Sequence, residues 1–285
     1  APGLVEFWFR YYSEHLGVDV IYVYDLDGSF EHLPLVEELR AQGRLAYENS
    51  FADIPPLKDV FNLEGYKTST THMVQALVQH HCWQQARETA DWVISLNHGW
   101  DMFLFSPAGR TLKDLLEELP PDQVTNILGV RYGDPNDAKP AEARGILEVW
   151  VPSPFVRFPY HNDPVVRPEK HGSTKEFVII AKPSLIDDVA LSTLIVRHEA
   201  PLHSNLLKSP FPCPSGQFRE FAGPMMQESH WMDPARWRAN HYVQALGGRR
   251  TLYDGEESFP VLRNFSMFDD AAVELGYQLE RSWAG

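Results

Sequence analysis

Asp91-Trp92-Val93-Ile94-Ser95-Leu96-Asn97-His98-Gly99-Trp100-Asp101-Met102-Phe103-Leu104-Phe105 decides how this chain is read. Residues 92–97 have the apolar, β-branched character of a buried strand, and 102–105 form a second apolar run. Between them a turn presents one carboxylate, Asp101. An acid at the end of a buried strand suits a hard divalent cation, which takes oxygen ligands. A solvated turn acid is the alternative. His98 is a further ligand candidate in the same turn, and imidazole would favour Mn²⁺ over Mg²⁺.

Working outward, strands alternate with helices. Residues 4–17 read as an amphipathic helix closed by Gly17, and 18–24 (VDVIYVY) as a strand buried on both faces. Asp25-Leu26-Asp27-Gly28-Ser29 is a turn. A helix over 31–42, a strand over 45–48, a loop over 50–68 and a helix over 69–90 lead back to the central stretch. Downstream, 111–119 reads as helix. Residues 123–132, 146–151, 176–181 and 192–197 read as strands, and 269–282 as helix. A Pro-rich, His-containing stretch spans 152–174, and 204–235, with many Pro, Ser and Gly, reads as a long loop. This alternation predicts a single α/β domain over 1–285. Ligands of such sheets sit beyond the carboxyl ends of the strands, where Asp25, Asp27 and Asp101 fall.

Bulk composition narrows the classes. The 285 residues are 44 % hydrophobic and 12 % aromatic, enough for a large core. The net charge of −14 and pI near 5.3 argue against nucleic acid as a partner. No apolar run is long enough to span a bilayer. Ala1-Pro2-Gly3-Leu4 lacks the charged-then-apolar pattern of a signal peptide, and the missing initiator Met is read as a processed or partial product. Cys82 and Cys213 allow one disulfide or two buried thiols.

Several motifs, taken in order, resemble glycosyltransferase family 92 and its GT-A-fold relatives. Leu4-Val5-Glu6-Phe7-Trp8, Tyr11 or Tyr12, and His15-Leu16-Gly17-Val18-Asp19 resemble the family's opening helix and its entry into a strand. Ile21 through Ser29 is similar to its Tyr-x-Tyr-Asp-x-Asp-Ser segment. Gln75 through Cys82 resembles the helix before the metal strand, and Trp92 through Phe105 the block holding the acidic Asp-x-Asp motif. Val130-Arg131-Tyr132-Gly133, Lys182-Pro183, His198 and Asn240-His241-Tyr242 resemble later markers. The likeness spans about residues 4–245. Three departures stand out: Gly99 replaces the first metal acid, Gln244-Ala245 replace the Lys-Ser that follows His-Tyr, and the chain starts after the place of the family's first strand.

The resemblance implies a GT-A type, Rossmann-like sheet, mixed but mostly parallel and flanked by helices. It implies a nucleotide-binding half at 1–110 and an acceptor half at 111–285. It further implies inverting, metal-dependent transfer of a hexose from a UDP-sugar to a glycan or glycoprotein hydroxyl, in the lumen of the secretory pathway (Golgi), with any membrane anchor outside this chain. Mn²⁺, or alternatively Mg²⁺, would be held by Asp101 and by His241, although a structural histidine at a core strand edge accounts for His241 as well. Asp25 and Asp27 would contact the nucleotide, although an Asx-type turn accounts for them equally. Glu199 and Asp134 compete as general base. Trp100 would stack on a sugar, and Tyr242 on donor or acceptor; Asn240 and Tyr242 would also fix the tautomer of His241. His80-His81-Cys82 suggests metal, but adjacent helical residues do not face one another, so packing beside Trp83 is the expectation. The other class of function is a catalytically inactive subunit with a structural or glycan-binding role among protein partners, favoured by Gly99.

Overall fold

A computed structural model of the chain describes residues 3–25, 28, 30–49, 78, 81–96, 100–133, 153–161, 177–185, 230–242 and 267–283. It has the mixed α/β character expected. Helix α1 (Leu4–Arg10) runs directly into a π-helical segment, Tyr11–His15. It is followed by β1 (Ile21–Tyr24), α2 (Pro34–Ala41), β2 (Leu45–Glu48), β3 (Val93–Leu96) and β4 (Met102–Phe105). Then come α3 (Leu112–Glu118), β5 (Thr125–Gly133), α4 (Pro154–Arg157), β6 (Tyr160–His161) and β7 (Phe177–Ala181). The last elements are β8 (His230–Trp231), β9 (Arg238–Tyr242), β10 (Met267–Phe268) and α5 (Asp270–Trp283). The expected strands at 146–151 and 192–197 lie outside the described residues, as does half of the 69–90 helix, whose residues 81–86 are helical.

Among the described residues the strands form two sheets rather than one. β1 and β2 pair in parallel as a two-stranded sheet. The larger sheet is mixed. β10, β6, β5, β7 and β3 follow one another in antiparallel pairs. β5 pairs in parallel with β8 and β9, and β4 pairs antiparallel with β9. The parallel share is therefore smaller than the resemblance implies, with three parallel pairings among the described strands against five antiparallel. The Pro-rich stretch 152–174 contains α4 and β6 in its described part.

β9 lies between β4 and β5. Phe103 stands opposite Asn240, and Val130 opposite the same residue from the other side. All five of its residues are buried, as are all four of β4. On one face an aromatic core gathers Phe7 and Tyr11 from the first helical segments, Phe103 from β4, Phe155 from α4 and Tyr242 from β9. Ring centroids lie 5.2–5.9 Å apart, mostly edge-to-face or tilted, the arrangements favoured by the ring quadrupoles.

α5 closes this core by close approach to α4. A Cβ at Gly276 would meet Phe155 Cβ and Val156 Cγ2 at 2.8 Å and Ser153 Oγ at 3.1 Å. Alanine at 276 would gain about 1 kcal/mol of helix propensity. Overpacking against a neighbour's Cβ, which cannot move without its backbone, costs about 1–3 kcal/mol. Gly276→Ala is expected to lose about 1–2 kcal/mol net in urea unfolding, towards the upper end of the difference between those terms. A variant as stable as the parent would show that α5 does not press on α4 this closely.

Candidate functional site

Asp101 occupies the turn just ahead of β4, and its backbone carbonyl accepts from the Tyr242 N–H at 2.8 Å. That bond fixes the β4–β9 register at the end where the chain leaves the turn. His241 stands opposite Met102 in that register. The Asp101 carboxylate Oδ2 and His241 Nε2 meet at 3.1 Å, across 140 residues of sequence. Asp101 is fully buried and His241 nearly so. A carboxylate in such a place needs a positive or hydrogen-bonding partner, because an uncompensated charge away from water is costly. The imidazole is one such partner.

The pair also fits a divalent cation. Two donors bound side by side at about 2.1 Å in an octahedral shell lie about 3 Å from one another. One oxygen and one imidazole nitrogen suit Mn²⁺ better than Mg²⁺. Among the described residues no group of three or more His, Cys, Asp and Glu side chains gathers around a common point.

The other expected site residues are placed differently. Asp25 ends β1 but turns inward, 3 % exposed. Its Oδ1 accepts from the Gly28 N–H at 3.1 Å, and its Oδ2 from the Phe30 N–H at 2.8 Å and the Tyr47 hydroxyl at 2.5 Å. Gly28, at φ 71°, supplies the left-handed residue the turn requires. Burial, and then the hydrogen bond to Asp25, push the Tyr47 phenol up, so it remains a donor. The turn role of Asp25 is therefore present. Asp27, Asp134 and Glu199 lie outside the described residues, as do His98, Gly99 and His198.

Trp100 is half-buried. Its ring meets Trp8 at 5.1 Å, Phe9 at 5.6 Å and Phe30 at 4.9 Å, so it joins the Asp101 turn to α1 and to the Asp25 turn. Tyr242 is fully buried among Phe103, Tyr132 and Phe155. It is a core residue and not a surface on which a sugar could stack. Nor do Asn240 and Tyr242 address His241. Side chains alternate along a strand, so 238, 240 and 242 share the face opposite to 241.

That opposite face holds a polar network the sequence reading missed. Arg238 Nη2 and the Tyr132 hydroxyl both donate to Asp269 Oδ2. Arg238 Nε donates to Asn240 Oδ1 at 3.1 Å, and Asn240 Nδ2 to the Tyr242 hydroxyl at 3.4 Å. The guanidinium also lies over the rings of Phe105 and Tyr132, at 5.2 and 5.8 Å. Asp269 Oδ1 accepts the Ala272 N–H at 3.1 Å, capping the first turn of α5. Burial pushes the Tyr132 phenol strongly up, which keeps it a donor. No local motif announces a network whose members are 31 and 137 residues apart.

At β1 the Tyr24 hydroxyl and His81 Nδ1 meet at 2.8 Å, so His81 makes a specific polar contact beyond the packing expected of it. Trp83 does pack, in a small cluster with Ala86, Val93, Ile179 and Ala181. Cys82 is a free thiol whose pKa burial pushes up to about 12. It is a protonated thiol near neutrality and no nucleophile. Cys213 lies outside the described residues.

No protein-family model and no curated protein sequence matches the chain. Among the described residues, no helix is long and apolar enough to cross a membrane.

Proposed function

We propose that the chain is a metal-dependent glycosyltransferase of GT-A type, similar to glycosyltransferase family 92. It would transfer a hexose with inversion from a UDP-sugar to a glycan or glycoprotein hydroxyl. The observation that carries this reading is the meeting of Asp101 and His241 at 3.1 Å. They are the two residues that the resemblance assigns to the cation from opposite ends of the sequence. Their separation equals that of neighbouring ligands on one ion.

When bound, the cation would neutralise the diphosphate as it departs. Asp101 contributes a carboxylate anchored through its own backbone bond to β9, and His241 a neutral nitrogen carried by a strand bonded on both edges. Donors so fixed need little reorganisation during reaction. Deprotonation of the acceptor hydroxyl falls to Glu199 or Asp134. Operation in the Golgi lumen belongs to the same proposal.

A non-catalytic subunit that binds glycans or protein partners is the second reading. It is favoured by Gly99 in place of the first acid and by the complete burial of Asp101. The deciding experiment is calorimetric titration of UDP into the protein with and without Mn²⁺. Metal-dependent binding supports the transferase. A folded protein that binds UDP in neither condition removes it and leaves the second reading.

A further inference from the structure

Among the described residues β4 pairs with a strand, β9, along one edge alone. Because the Asp101 carbonyl bonds to the Tyr242 N–H, alternation along an antiparallel pair turns the N–H and C=O groups of Met102 and Leu104 away from β9. An edge strand normally offers such groups to another strand. Here side chains take three of the four. The Met102 carbonyl accepts from Trp8 Nε1 at 3.1 Å and from the Tyr12 hydroxyl at 3.1 Å. The Leu104 N–H donates to that same hydroxyl at 3.0 Å, and the Leu104 carbonyl accepts from the Tyr11 hydroxyl at 2.6 Å.

One phenol oxygen thus does what a neighbouring strand residue would do, donating to one residue and accepting from the residue two further on. Successive residues of a regular helix point about 100° apart. The change to π-helical winding at Tyr11, where Leu16 N–H bonds back to the Tyr11 carbonyl at 2.9 Å, accompanies the delivery of two consecutive phenols to one strand. All three side chains are buried, and burial raises both phenol pKa values, so they stay protonated donors.

We propose that Trp8, Tyr11 and Tyr12 act as a strand surrogate that keeps the β4 edge from pairing with a second copy of this chain. The segment they cover, Met102-Phe103-Leu104-Phe105, is uncharged, apolar and free of proline, the composition that self-pairs when an edge is open. An edge meeting its own copy is antiparallel and self-complementary about a two-fold axis. The inference is independent of the transferase reading.

The test is the triple variant Trp8→Phe, Tyr11→Phe, Tyr12→Phe, which keeps the rings and removes the polar atoms. Light scattering is followed over a range of concentration, together with hydrogen exchange at the Leu104 amide. The variant is expected to associate as concentration rises. Its Leu104 amide should exchange on the order of tenfold or more faster than in the unsubstituted protein when dilute. Protection should return only where the variant associates. A variant that keeps the parent's size at every concentration overturns the proposal, and so does association that leaves Leu104 unprotected. If the triple variant does not fold, Tyr12→Phe removes a single oxygen, and unchanged Leu104 exchange in it is equally decisive against the idea.

Discussion

Asp269→Ala is expected to destabilise the protein by about 3–5 kcal/mol, the cost typical of stranding one member of a buried ion pair. The Arg238 and Asp269 side chains are 9 % and 6 % exposed, so water cannot replace the lost carboxylate. The same change removes the acceptor of the Tyr132 hydroxyl and the cap of the first turn of α5. Asp269→Asn keeps one acceptor oxygen, which can serve the Ala272 N–H or the Tyr132 and Arg238 donors but not both sets, so it should fall between alanine and the parent. Urea unfolding measures all three. Combining Asp269→Asn with Arg238→Leu removes both charges, and recovery of part of the loss is expected, because no buried charge is then left without its partner. An Asp269→Ala protein that loses less than about 1 kcal/mol would mean the guanidinium finds water or another partner.

Asp101→Asn should abolish the Mn²⁺-dependent part of UDP binding, weakening it at least ~100-fold, since even removal of residues that only support metal ligands costs about 10–100-fold. Asparagine has the shape of aspartate and can still hydrogen-bond His241, so the fold should survive. What is lost is the negative charge that a hard cation requires. His80→Ala is the control and should bind as the parent does. If Asp101→Asn and the parent bind UDP equally with Mn²⁺ present, the cation is held elsewhere or is not used. Unfolding curves of the same samples separate a lost ligand from a lost fold.

Much of the fold was legible in sequence where hydropathy alone governs it. β2 occupies 45–48 as read, and β3, β5, β7 and α5 lie within one or two residues of their expected bounds. Thr111, as the capping-box residue of α3, explains why that helix starts at Leu112. β9 showed itself only through the alternative that His241 is a structural residue at a core strand edge, although all five residues of β9 are buried. Arg-Ala-Asn-His-Tyr reads as polar, and its burial depends on Asp269 and Asp101, partners distant in sequence. For the same reason Tyr242 was misplaced: once β9 is known, alternation sends it to the core and His241 to Asp101. The pairing of Asp101 with His241 was anticipated only through the family resemblance, because nothing local to either residue names the other. Asp25 was ambiguous in principle, since a turn with Gly28 and a ligand contact require the same residue types.

β9 has a further consequence for how the chain tolerates change in length. Its odd and even positions belong to two unlike interiors, a guanidinium–carboxylate network on one side and an imidazole–carboxylate pair on the other. Loss of a single residue within Arg238–Tyr242 would exchange these sides for every residue beyond it, since a one-residue slip reverses the facing of a strand. Each buried charge would then meet the wrong partner. Spelling and reading frame are thus enforced within this strand by electrostatics on both sides, so substitutions there can be graded in severity while deletions cannot.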